Sequence, residues 1–69
     1  MSAPVEVGSY LLVEQGGVWF LEQDGRITAT LIDMGGGTWR ARTPEGNVRT
    51  VTVPPEVEDP PLYVAKLIA

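Results

Sequence analysis

The chain contains no cysteine and no histidine. The first absence excludes disulfides and thiolate metal sites as staples for a small core. The second removes the commonest general base, proton shuttle and metal ligand. Basic residues are scarce: five Lys and Arg stand against nine Asp and Glu, a formal net charge of −4 at pH 7. That imbalance argues against sequence-independent binding to nucleic acid, whose affinity comes largely from neutralising phosphates. It argues more weakly against an anionic membrane surface. A basic partner is compatible with it, although moderate acidity is also an ordinary means of staying soluble. No apolar run approaches the roughly 20 residues that cross a bilayer. Residues 1–6 lack the basic patch and long apolar stretch of a secretory signal. A cytoplasmic protein with no membrane role is the expectation.

What is present is β-strand patterning. Sixty-nine residues suffice for one small domain, near the lower limit for a core without staples. The run Gly17-Val18-Trp19-Phe20-Leu21 is apolar at consecutive positions. In a strand, Val18 and Phe20 point one way while Trp19 and Leu21 point the other. Turn signals recur at short intervals, the pattern of an all-β meander. Gln15-Gly16 separates expected strands over residues 10–14 and 17–22. Asp24-Gly25, a favoured two-residue hairpin turn, leads to a strand over 26–33. Gly35-Gly36-Gly37 forms a flexible corner, and Pro44-Glu45-Gly46 joins strands over 38–43 and 47–53. The fold class expected is all-β: a five- or six-stranded antiparallel meander, or an SH3-like barrel.

These turns imply a register. A Gln15-Gly16 loop sets Val13 opposite Val18 and Leu11 opposite Phe20. An Asp24-Gly25 loop sets Phe20 opposite Ala29 and Val18 opposite Leu31. The expected core face then carries Leu11, Val13, Val18, Phe20, Ile27, Ala29 and Leu31. The opposite surface carries Tyr10, Leu12, Trp19, Leu21, Thr28, Thr30 and Ile32, too apolar for an ordinary wet face. A one-residue slip would exchange the two sets. In the last hairpin, Trp39 pairs with Val51 and Ala41 with Arg49, so that Trp39, Ala41, Val51 and Val53 face inward.

Residues 1–69 form a single domain, with an N-terminal arm over 1–8 and a Pro-rich acidic linker over 54–61. Residues 62–69 read as a sixth strand that pairs with the first and closes the barrel. The alternative is a short helix capped by Asp59 with Pro60 at its first position. The strand is preferred, because so short a helix has little stability of its own.

The chemistry-bearing residues are few. Ser2 and Ser9 have no histidine to activate them, and Lys66 in the apolar tail snorkels more readily than it forms a Schiff base. An enzyme is not expected, and neither is a cofactor. Glu56, Glu58 and Asp59 lack the spacing and glycine of a calcium loop, so no metal site is assigned. The three-glycine corner lacks the Lys-Ser/Thr and helix of a phosphate-binding loop. Arg40, Arg42 and Arg49 concentrate on the last hairpin. They support a nucleic-acid-binding alternative, weakened because Trp39 has the wrong parity to stack bases beside Arg40 and Arg42.

Tyr10, Leu12, Trp19, Leu21 and Ile32 remain as an apolar patch that residues 62–69 cover only in part. Such a patch, with Tyr and Trp inside it, has the anatomy of a protein–protein interface. The acidic residues Glu14, Glu22, Asp24, Glu56, Glu58 and Asp59 would engage a basic surface beside it. The function expected is therefore a non-enzymatic acidic protein-binding module. An inhibitor or adaptor, for example a phage-encoded one, would occupy a surface of a larger, nucleic-acid-binding partner. Two alternatives stand beside it: a self-associating structural or decoration subunit that buries Trp19 against a copy of itself, and a small nucleic-acid-binding barrel.

Overall fold

Tight turns built on positive φ angles set the topology of this chain. A computed structural model describes residues 3–69; the first two residues of the N-terminal arm expected over 1–8 lie outside the described residues. The strands are β1 (Val5–Val7), β2 (Tyr10–Gln15), β3 (Val18–Gln23), β4 (Arg26–Gly35), β5 (Thr38–Arg42) and β6 (Val48–Thr52), followed by one helix, α1 (Pro60–Ile68). They form one antiparallel sheet in chain order. The all-β meander read from the turn spacing is what the chain forms.

Asp24 (φ 53°) and Gly25 (φ 77°) make the expected hairpin turn, with Gln23 opposite Arg26. The β2–β3 turn is displaced by one residue from expectation. Its loop is Gly16-Gly17, both at positive φ, and Gln15 instead pairs with Val18. A two-residue turn of this kind needs φ > 0 at both central positions, which two glycines adopt without the Cβ strain Gln15 would suffer. Leu11 consequently faces Glu22 and Val13 faces Phe20. The last hairpin follows the expected register, Trp39 opposite Val51 and Ala41 opposite Arg49.

The expected register between β3 and β4 fails after its first two pairs. Glu22 pairs with Ile27, then Leu21 pairs with Ala29, leaving Thr28 as an extra residue. The Thr28 hydroxyl donates to the Leu21 carbonyl at 3.0 Å, so the irregularity carries its own polar compensation. One inserted residue reverses parity. Ala29 and Leu31 therefore join Trp19 and Leu21, whereas Thr30 and Ile32 join Phe20.

The expected core face keeps Ala29 and Leu31 but is otherwise inverted. The buried set is Leu12, Leu21, Ala29, Leu31, Trp39, Ala41 and Val51 on one sheet face, with Val7, Val53, Val64 and Ala65. Leu11, Val13, Val18, Phe20 and Ile27 lie on the other face, which we call the outer face. The reason is α1: both faces are apolar, and the one the helix covers becomes the core.

That segment is a helix, not the expected closing strand. β1 pairs with β2, Val5 opposite Leu12 and Val7 opposite Tyr10, and so occupies the edge a C-terminal strand would have used. Asp59 stands at the N-cap position with prolines in the first turn, where a missing N–H costs nothing. Val64 and Ala65 are wholly buried. Burying a Val side chain is worth about 1.5–3 kcal/mol, a tertiary contribution that offsets the poor intrinsic stability of so short a helix. Under the helix, the Trp19 and Trp39 rings meet edge-to-face, centroids 5.2 Å apart at 64°, a favoured aromatic geometry.

Two outcomes test this arrangement. Leu31, with no exposed surface, sits where a cavity cannot collapse easily. Leu31→Ala should cost about 3 kcal/mol, a large share of the roughly 3–10 kcal/mol available to a chain of this length, read as a lower urea midpoint. Gly37 has φ +83° and a Cβ there would lie 3.1 Å from the Val53 carbonyl, whereas Gly36 has φ +62° and open space. Gly37→Ala should therefore lower the midpoint more than Gly36→Ala; equal losses would show that only backbone φ matters at this corner.

Candidate functional site

The β2–β3 hairpin brings Glu14 directly opposite Trp19 across the ladder. Glu14 is held by its own turn: the Gly17 N–H donates to Glu14 Oε2 at 2.8 Å. Trp19 is half-buried, with one side braced on Trp39. The start of α1 then supplies Asp59 and Pro61, which line a cleft of about 230 Å³ with Glu14, Trp19, Leu12 and Val5. Two carboxylates beside an indole make a cleft suited to a cationic side chain. The ring quadrupole attracts a cation over its face, and carboxylates accept its N–H groups.

Of the apolar patch expected from the sequence, only Trp19 reaches this cleft as an accessible ring. Leu12 and Leu21 are 5% and 1% exposed and belong to the core. Tyr10 is half-buried at a different cleft of about 270 Å³, beside Ile68 and Arg49. Ile32 is exposed but lies on the outer face, opposite Arg40. The patch does not assemble, because the helix covers most of it and the irregularity at Thr28 sends Ile32 to the other side.

The acidic set divides in the same way. Glu14 and Asp59 share the cleft, and Glu58 and Glu56 are exposed in the segment leading into α1. Glu22 stands on the outer face between Leu11 and Ile27. Asp24 is at the tip of the β3–β4 hairpin, two residues beyond Glu22. Among the described residues no group of three or more carboxylates could hold a metal ion. At the glycine corner, the Gly35 N–H already donates to Asp33 Oδ1 at 2.8 Å, which removes one donor that an anion would need.

The arginines also separate. Arg40 and Arg42 pair with Ile32 and Thr30 on the outer face. Arg49 pairs with Ala41 and lines the cleft near Tyr10. Arg49 shares their hairpin but not their surface. Sequence reasoning missed Phe20, which stands in one cross-strand row with Thr30 and Arg42. Its parity relative to Arg42 depended on the extra residue at Thr28, and a Thr in a strand carries no local signal of that kind.

No family model matches this chain, and no curated protein or solved structure matches it. Among the described residues no helix is long and apolar enough to cross a membrane.

The two tryptophans provide a direct check on the cleft. With Trp39→Phe, the remaining Trp19 emission should be quenched readily by acrylamide. With Trp19→Phe, the remaining Trp39 emission should be blue-shifted and protected. Equal quenching would mean that Trp19 is not open to the cleft.

Proposed function

We propose that this protein is a non-enzymatic acidic binding module that occupies a basic surface of a larger protein, as an inhibitor or adaptor does. The observation that carries the reading is the cleft of Glu14, Trp19 and Asp59. A lysine or arginine of the partner enters it, its charge against the carboxylates and its apolar stem along the indole. Glu56 and Glu58, exposed in the segment that leads into Asp59, extend the negative potential and steer the partner's approach. The positive end of the α1 dipole works against a cation here, but it amounts to about half a charge and the neighbouring carboxylates outweigh it. The cleft is small, so it anchors one side chain rather than a whole interface.

Titration of the protein with an arginine- and lysine-rich peptide, followed by tryptophan emission, tests this. Glu14→Gln and Asp59→Asn should each weaken binding roughly fivefold, equivalent to about 1 kcal/mol. Trp19→Leu should weaken it comparably at unchanged net charge, measured by calorimetry, with folding checked by circular dichroism. Glu45→Gln, at a hairpin tip, should behave as the native chain. If Trp19→Leu leaves the affinity unaltered, only diffuse electrostatics is at work and the cleft is not the site.

A further inference from the structure

The outer face of the sheet has no helix over it, and its exposed surface is unusually apolar. Leu11 (42%), Ile27 (46%), Ile32 (36%) and Val48 (55%) are all open to solvent, with Phe20 half-buried among them. We propose that this face is a homodimer interface, and that its occupant is a second copy of this chain.

The charge on this face can complement itself. On the outer face Glu22 lies on β3 and Arg42 on β5, with β4 running between them. A two-fold axis along β4 places β3 of one copy over β5 of the other, so each Glu22 meets the partner copy's Arg42. Glu22 pairs with Ile27, and Arg42 with Thr30, which pairs with Phe20. The two charges therefore sit in adjacent cross-strand rows, roughly 7 Å apart along the strand direction, a step that an arginine side chain spans. Ile27 and Ile32, on the axis strand, meet their own copies, as a closed isologous interface requires.

Shape supports the same operation. Ile27, Thr30, Ile32, Arg42 and Pro44 line a shallow groove of about 490 Å³ between β4 and the β5–β6 turn. The rotation carries the partner copy's Phe20 to that groove, where Arg42 can lie against the ring. A foreign partner of either charge would leave part of this face unmatched, since it carries Glu22 as well as Arg40 and Arg42. Single-stranded nucleic acid fits less well, because the face offers one aromatic side chain for stacking and places Glu22 against phosphate.

The sheet is roughly 24 Å across by six strands, and five-residue strands are roughly 17 Å long. The footprint therefore falls below the roughly 800 Å² per partner of a standard stable interface, and the dimer is weak. Sedimentation equilibrium of the full chain from roughly 10 μM to 1 mM, the range for such affinities, should show concentration-dependent dimerisation. Ile32→Asp, at an exposed position, should leave a folded monomer. Glu22→Arg and Arg42→Glu should each weaken the dimer about tenfold or more. An equimolar mixture of those two variants should restore it, since each repulsive contact becomes attractive in the heterodimer. A protein that stays monomeric throughout, or a dimer that Ile32→Asp leaves intact, overturns the proposal. So does a free protein that is monomeric yet binds a single-stranded oligonucleotide through Arg42, which would assign this face to nucleic acid. A dimer abolished by Trp19→Leu and not by Ile32→Asp would place the contact at the acidic cleft instead.

Discussion

β1 and β6 end the sheet without pairing to each other, and α1 packs on β1, β4 and β5 across the inner face. The meander is thus closed by side chains rather than by a ladder of hydrogen bonds. Val64 and Ala65, both fully buried, are the helix residues that seal the inner face. Removing this cover would expose two apolar faces at once, and a sheet of this size has no other means of hiding either. The burial of one face, the exposure of the other and the placing of Asp59 beside Trp19 all follow from where the helix lies.

A second constraint operates within the sheet. Thr28 adds one residue to β4 and secures it with a hydroxyl bond to Leu21. Without it, Ile32 would turn inward and Leu31, at the centre of the core, would turn out. The extra residue therefore aligns the apolar side of β4 with that of β3 along the length that α1 covers. It also places Phe20, Thr30 and Arg42 in a single row on the outer surface. One local irregularity sets both the composition of the core and the chemistry of the exposed face.

The result is a molecule with two chemically distinct surfaces. Around the start of α1, Glu14 and Asp59 line a cleft with an indole, and the surface there is anionic. The outer face instead combines apolar side chains with Glu22 on one side and Arg40 and Arg42 on the other. The formal charge of −4 describes neither surface well. Net charge is a property of the whole chain, whereas recognition depends on how charge is distributed locally.

Much of the fold was legible from residues that act locally. Asp24-Gly25 determined its turn, Pro44-Glu45-Gly46 determined the last hairpin and its register, and the spacing of these signals determined an all-β meander. Positive φ is a short-range demand, and glycine or Asp-Gly meets it in any context. The identities of candidate residues such as Glu14, Trp19 and Asp59 were legible too, but not their meeting, since Asp59 comes from a distant part of the chain. Tertiary structure alone decided which apolar face is core, that Thr28 is an extra residue, and that the last segment is a helix. The physical reason is common to all three. Both faces of β3 are apolar, so local hydrophobicity could not choose between them. The choice came from which face α1 could bury, once β1 had taken the edge where a closing strand would have paired.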